Sequence, residues 1–230
     1  MNTNLQSYVV ILLHKRITTP TMKVICISDT HGLHKDVKLP QGDLLIHAGD
    51  ISSRGTRSEV LDFIQWFDNL EQFAYKIFIA GNHDFFFEDT LTSEINAIIP
   101  KNIIYLNDSG VVVEGLKIWG SPIQPEFYDW AFNRKRGEEI KKHWDLIPDD
   151  TDVLITHGPP ANILDKTTTG KNVGCQDLLD AVVSINPKFH IFGHIHEAYG
   201  MVKNNDSTFI NASLLTERYA MRNEALCVEI

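Results

Sequence analysis

The chain has 230 residues, 43% hydrophobic and 22% charged, with a formal charge of −9 at pH 7. That length allows one substantial domain or two small ones, and the composition excludes a long disordered or low-complexity polypeptide. The basic groups are scattered, with only short clusters at Arg134 to Arg136 and Lys141 to Lys142, which argues against binding along a nucleic-acid backbone.

In chain order, residues 1–21 read as a disordered or loosely attached extension. Its apolar stretch, Tyr8 to Leu13, is far shorter than the ~20 residues that span a bilayer. It also lacks a basic stretch before it and a small-residue cleavage site after it. Met22, directly before the first strong strand, is an alternative natural start, and the domain is expected over 22–230. No other segment is apolar enough to cross a membrane. Cys26, Cys175 and Cys227 are odd in number and form no CxxC pair, so free thiols in a reducing, cytoplasmic setting are expected.

From Lys23 onward one pattern recurs. The run Val24 to Ile27 leads through Ser28 into Asp29-Thr30-His31-Gly32. Leu44 to Ala48 leads into Gly49-Asp50, and Ile77 to Ala80 into Gly81-Asn82-His83-Asp84. Val153 to Ile155 leads into Thr156-His157-Gly158, and His190 to Phe192 into Gly193-His194-Ile195-His196. Each run is short and rich in β-branched residues, as a buried strand is, and each ends in a small residue and a metal-capable side chain. Ligands collect beyond the carboxyl ends of strands in α/β sheets, so these ends are expected to share one rim.

Between the strands, Ser58 to Asn69 carries a helical apolar face at Val60, Leu61, Ile64, Trp66 and Phe67. Thr92 or Ser93 is placed to cap a helix running to about Ile99, ended by Pro100. Arg136 to Trp144 and Gln176 to Ser184 are further helices. Short alternating segments follow at Ile103–Leu106, Gly110–Val113, Leu116–Trp119, Ala198–Val202, Thr208–Ile210 and Leu226–Ile230. Strands interleaved with helices, plus extra hairpin-like strands, predict an α/β fold with about two packed mixed sheets flanked by helices.

Imidazole with carboxylate and amide oxygen suits two metal ions, divalent Mn²⁺, Fe²⁺ or Zn²⁺ or, for iron, also Fe³⁺, and the absence of thiols in the set argues against a structural zinc cage. Two metals ~3.5–4 Å apart clamp the attacking and leaving oxygens of a phosphoryl displacement, and a shared water becomes a hydroxide near neutral pH. A carboxylate between the metals sets that spacing; Asp50 is the candidate.

The series Asp29-x-His31, Gly49-Asp50, Gly81-Asn82-His83-Asp84, His157-Gly158 and Gly193-His194-x-His196 resembles the calcineurin-like metallophosphoesterase superfamily, in its order, from about Met22 to the end. The wording around Ser28 to His34 and at Gly120-Ser121-Pro122 is similar to its metallophosphoesterase-domain (MPPED) branch. The resemblance implies a four-layer α/β/β/α sandwich. It implies that Asp29, His31 and His196 hold one metal, that Asn82, His157 and His194 hold the other, and that Asp50 bridges them. It also implies that His83 is not a ligand but reaches the leaving-group oxygen, so the expectation is a general acid whose ring Asp84 orients. The branch it resembles includes members in which a metal-site histidine is replaced and activity is low; here both His194 and His196 are present.

Four residues are expected at the substrate. His34 either reaches the cleft or covers a helix end. The long stretch Gly120 to Gly137 holds Phe127, Tyr128, Trp130, Phe132, Asn133 and Arg134, and is either a substrate lid or a loop packed by its own aromatics. In the first reading aromatics such as Trp130 stack on a nucleobase and Arg134 meets a phosphate oxygen, with Asn133 a further substrate-binding candidate. Thr167 to Gly174 is a second candidate cleft wall, while His47 and His190, inside strands, are expected in the core or behind the ligands. The expected function is hydrolysis of a small-molecule phosphodiester, cyclic nucleotides included, by metal-bound hydroxide. A phosphomonoesterase or nuclease on the same metals, and a metal-binding regulatory protein of low turnover, are the alternatives; neither membrane nor nucleic acid is an expected partner.

Overall fold

The structure, a computed structural model, describes residues 9–11 (backbone), 21–204 and 206–230. One sheet is built on three parallel strands, β2 (Lys23–Ile27), β3 (Leu44–Ala48) and β4 (Tyr75–Ile79). It is extended by β5 (Ile104–Tyr105) next to β4 and by β14 (Leu226–Glu229), antiparallel to β2. The other sheet takes β6 (Ser109–Val113), β7 (Leu116–Ser121), β10 (Val153–Thr156), β11 (Phe189–Phe192), β12 (Gly200–Asn204) and β13 (Ser207–Asn211), in the order β6-β7-β10-β11-β13-β12. At its edge β1 (Val9–Ile11) pairs parallel with β6. This part of the expected loose extension is therefore paired, because an edge strand offers free backbone groups to any extended segment. The remainder of 1–20 lies outside the described residues. A small ribbon, β8 (Gln124–Pro125) with β9 (Asn133–Arg134), completes the strands.

The strands that read as continuous apolar runs are buried on both faces, and alternation sorts their side chains into different layers. Val24, Cys26, Leu44, Ile46 and Ile77 of the first sheet meet Ile118, Val153, Ile155, Ile191 and Ile210 of the second, forming the layer between the sheets. Ile25, Leu45 and Phe78 point the other way, into the cluster with Val60, Phe63 and Phe67 of α1 (Arg57–Asp68). On the far side Trp119, Leu154 and Phe192 join Ile140 and Trp144 of α4 (Glu138–Trp144) and Leu178 and Val182 of α5 (Gln176–Ile185). The result is the α/β/β/α sandwich of two mixed sheets. Two further helices, α2 (Phe85–Asp89) and α3 (Thr92–Ile98), follow β4.

Local chemistry accounts for most helix ends. Thr56 and Glu59 form a reciprocal capping box at the start of α1, one residue before the expected helix. The expected Thr92 or Ser93 cap on α3 is not made: Leu91 is the N-cap and no side chain caps it, the threonine and serine having been drawn into the first turn. Asn186, with φ of 52°, closes α5 in the left-handed conformation.

Candidate metal centre

Five parallel strands, β2, β3, β4, β10 and β11, point their carboxyl ends at one rim, and the side chains that follow them converge there. The chain turns sharply at each end. Asp29, His31, Asp50 and His194 all have positive φ (54°, 42°, 56° and 69°), a conformation non-glycine residues rarely adopt. Strain of this sort, on the order of 1–3 kcal/mol per residue, persists where surrounding structure enforces it, and it clusters at functional sites. Close approach also needs glycine: a β-carbon on Gly81 would lie 2.3 Å from Asp50 Oδ1, and one on Gly193 would lie 2.1 Å from Asp29 Oδ2.

The side chains group in three overlapping sets, one of them His31, Asp50 and His83. Ligand atoms of Asp29, His31 and His196 lie within 4.8 Å of one another, with His31 Nε2 3.4 Å from His196 Nε2 and His196 Nε2 3.3 Å from Asp29 Oδ1. Asp29, Asp50 and His157 form a second such group, where His157 Nε2 is 2.9 Å from Asn82 Oδ1 and the His194 ring is 5.0 Å from the His157 ring. One oxygen joins the two: Asp50 Oδ2 is 3.5 Å from His31 Nε2 and 3.4 Å from His157 Nε2. The other ring nitrogens are tied down behind. His157 Nδ1 donates to the Ala48 carbonyl at 3.0 Å and His196 Nδ1 to the Thr216 carbonyl at 2.9 Å, so Nε2 of each faces the cluster.

Below each half lies a buried brace. His47 Nε2 is 2.9 Å from Thr30 Oγ1, and His190 Nε2 is 2.8 Å from Thr156 Oγ1; both threonines adjoin ligand residues. Burial pushes both imidazoles down to about 3, so they stand neutral as hydrogen-bond partners. This is the role behind the ligands that their strand positions suggested.

The electrostatics suit cations. Burial disfavours the Asp29 and Asp50 carboxylates, yet the surrounding imidazoles outweigh it, His196 foremost for Asp29 and His157 for Asp50, and both stay well below the usual carboxylate range. Burial likewise lowers His157 and His196, but Asp50 and Asp29 respectively override it and carry each up to about 9. Burial and the neighbouring His157 hold His194 down at about 4, and burial lowers His31. The cluster thus keeps two buried carboxylates ionised by retaining protons on two imidazoles. Divalent ions displace such protons when imidazole coordinates, so the donor set fits a pair of borderline or hard metal ions.

The expected catalytic pair is arranged differently from the sequence reading. His83 is at the cleft, its ring stacked on Trp130 at 4.2 Å and edge-on to His31 at 4.5 Å. Asp84 does not orient that ring. Its Oδ1 accepts from the Ser52 amide (3.0 Å) and hydroxyl (2.6 Å), and its Oδ2 from the amides of Ile51 (3.1 Å) and Gly81 (2.8 Å). Burial and the nearby Asp50 push this carboxyl up to about 6 against those donors. The His83 ring is set instead by the Ser53 carbonyl, 2.8 Å from Nδ1, because adjacent residues on the turn point one inward and one toward the cleft.

Of the expected substrate residues, only Trp130 lines the cleft, a space of about 270 Å³. His34 is buried, packed between Phe63 and Trp66 with Nε2 3.3 Å from Asp62, so it covers α1. Asn133 spends its amide closing its own loop, donating to the Tyr128 carbonyl at 2.7 Å. Arg134 donates to Glu88 at 3.3 Å and to the Asn133 carbonyl at 2.6 Å. Both are drawn inward because a long loop must satisfy its own polar groups. Thr167 to Gly174 borders the cleft on the side of Glu197, whose carboxylate accepts from the Thr168 amide. Sequence reasoning missed three cleft residues, Glu197, Glu217 and Tyr219. It also missed Ser213, whose hydroxyl donates to Asp29 Oδ2 at 2.9 Å. Glu197 directly follows His196; the others have no local signal, since they arrive from a segment outside the strand pattern.

A four-layer sandwich with this donor set at its strand ends defines a metal-dependent phosphoesterase. The chain belongs to the calcineurin-like phosphoesterase family, whose model matches residues 22–198. It is 39% identical over 231 residues to the human "Metallophosphoesterase domain-containing protein 1", covering 90% of this chain and 71% of that one. To a UPF0046 protein of Caenorhabditis elegans it is 40% identical over 207 residues, covering 85% and 70% of the two chains. A solved crystal structure sharing 18% identity superposes with a TM-score of 0.58, covering 84% of this chain and 90% of that one, and supports the fold.

Proposed function

We propose that the chain hydrolyses phosphodiesters of small molecules, with nucleotides and cyclic nucleotides as the class, on a pair of divalent ions drawn from Mn²⁺, iron and Zn²⁺. The observation that carries this reading is the single Asp50 oxygen standing between the two imidazole groups, a bridging position. Asp29, His31 and His196 would hold one ion, Asn82, His157 and His194 the other, and Asp50 both. Bound there, the ions supply Lewis acidity at the phosphoryl oxygens and lower the proton affinity of water.

The chain's own residues supply the rest. The Ser53 carbonyl only accepts, so His83 Nδ1 bears a proton there, and Nε2 protonates the leaving oxygen from the imidazolium form, in which both ring nitrogens carry protons, leaving the neutral Nδ1–H ring behind. Trp130, stacked on His83, keeps that ring fixed and offers a face to an aromatic leaving group. Asp84 holds the turn carrying Asn82 and His83 against the one carrying Ile51 and Ser52. The three free cysteines support a reducing, cytoplasmic setting. Among the described residues no helix is long and apolar enough to cross a membrane.

The test is hydrolysis of bis(nitrophenyl) phosphate by the Mn²⁺-reconstituted protein beside the matched monoester. Expected is faster diester turnover that falls at least ~10³-fold in Asp50→Ala, an estimate for loss of a shared ligand. Undiminished turnover in that variant would sink the assignment.

A further inference from the structure

The cleft above the strand ends is chemically lopsided. Its lining includes the aromatic rings of Phe127 and Trp130 and that of Tyr219, the last 4.9 Å from His31 and 5.4 Å from His196. Beyond Tyr219 and His196 the lining carries two carboxylates, Glu217 and Glu197. Among the described residues that line this space there is neither lysine nor arginine. Arg134, expected to meet a phosphate, is turned onto Glu88 and a backbone carbonyl, and Arg136 of the same loop donates to the carbonyls of Val173 and Gly174. Glu217 is paired with Arg218, Nε 3.5 Å from Oε1, a side chain that is 88% exposed and is not among the residues lining the cleft. Glu197 is held in place by the Thr168 amide on Oε1.

A substrate anion is therefore welcome at one place only. At the strand ends, two divalent ions held with Asp29 and Asp50 would leave a net positive bed for a single phosphoryl group. A second anionic group on the substrate would have to lie along the rim against Glu197 and Glu217, where like charges repel over a Debye length of ~8 Å at physiological salt. We infer that Glu197 and Glu217 form a charge filter that restricts the site to phosphodiesters whose only charge is at the reacting phosphorus. The outer group is then an uncharged ring with hydroxyls, seated between Trp130 and Tyr219 and able to donate to the two carboxylates. Oligonucleotides and nucleotides with additional phosphates are disfavoured by the charge of this rim. The inference rests on the phosphodiesterase reading for its choice of substrate, but its physical content is a binding preference.

Both can be tested separately. For the metal-loaded enzyme and a Glu197→Gln/Glu217→Gln variant, kcat/KM is measured for a cyclic nucleotide and for a dinucleotide carrying a 5′-phosphate. The ratio favouring the cyclic compound is expected to fall at least about tenfold in the variant, as two like charges are removed. In the wild type the ratio is expected to fall as salt is raised. In parallel, calorimetry compares binding of a nucleoside monophosphate and of the corresponding bisphosphate, which needs no turnover. The bisphosphate is expected to gain at least about tenfold over the monophosphate in the variant. A binding ratio identical in the two proteins overturns the filter, whatever the activity. No turnover of any diester, with the binding ratio shifted as expected, overturns the phosphodiesterase reading and leaves the filter standing.

Discussion

Three glycines adjoin ligand histidines; Gly32 after His31 has a φ of 80°, but Gly158 after His157 and Gly193 before His194 do not have a positive φ, so alanine suits the backbone at these two. Their surroundings differ sharply. A β-carbon on Gly158 would have Gln124 Cβ as its nearest neighbour at 3.9 Å, an ordinary contact. On Gly193 it would stand 2.1 Å from Asp29 Oδ2 and 2.1 Å from Ser28 Oγ. Relief to a normal separation requires Asp29 to move by roughly 1.4 Å, since non-bonded heavy atoms settle near ~3.5 Å. That shift breaks what holds the carboxylate: the Ser213 hydroxyl at 2.9 Å, the His194 amide at 3.0 Å and the approach of His196 at 3.3 Å. Losing two buried charge-assisted hydrogen bonds costs about 2–5 kcal/mol, and a displaced ligand costs ~10–100-fold in metal affinity. Gly193→Ala is thus expected to lose most of its bound metal and its metal-dependent rise in Tm, while Gly158→Ala keeps both. Elemental analysis of the dialysed proteins and thermal unfolding with and without Mn²⁺ read the two effects. Matching metal content and melting curves for the two variants would refute the steric argument.

Three other outcomes follow from the same geometry. His83→Ala should lower kcat by about 10²–10⁴-fold on a diester with a poor alkyl leaving group and much less on a nitrophenyl diester, with metal content unchanged; equal losses on both would remove it as proton donor. Asp84→Asn turns one end of a carboxylate that accepts from four donors into a donor itself. It should destabilise the protein by about 2–4 kcal/mol in urea unfolding, and a change under ~0.5 kcal/mol would contradict the bonding described. His190, held near 3 by burial, lies below its unfolded value of ~6.5, so the unfolded chain takes up the proton first. Its contribution is whole above pH ~6.5 and is lost as pH falls toward 3, at up to ~1.4 kcal/mol per pH unit. His190→Leu should flatten stability against pH between about 6.5 and 4.5; slopes identical to wild type would show that the imidazole is not buried neutral.

The strand-end ligands were legible because their signal is local. An apolar run, a small residue and a metal-capable side chain follow one another within a few positions, as at Leu44 to Asp50, and the sheet's parallel order does the rest. The helix α1 was legible for the same reason, from its apolar spacing. Positions that failed did so where a side chain had a choice of partners. The sequence puts Asp84 beside His83, but the buried amides of Ile51, Ser52 and Gly81 compete for its oxygens and win, since unpaired buried donors are costly. Arg134 sits in an aromatic loop facing the cleft, yet Glu88 of α2 lies within reach and takes it.

The sequence by itself determined the α/β class, the donor types and the order in which strands deliver them, because these depend on hydrophobic pattern and on ligand chemistry. Only the tertiary structure decided that His31 and His196, 165 residues apart, stand 3.4 Å from each other. It also decided that a single Asp50 oxygen is shared, and that Glu197, Glu217 and Tyr219 rim the cleft in place of His34, Asn133 and Arg134. Those outcomes turn on which distant groups compete for the same buried space and hydrogen bonds, a contest that is not written in any one segment of the chain.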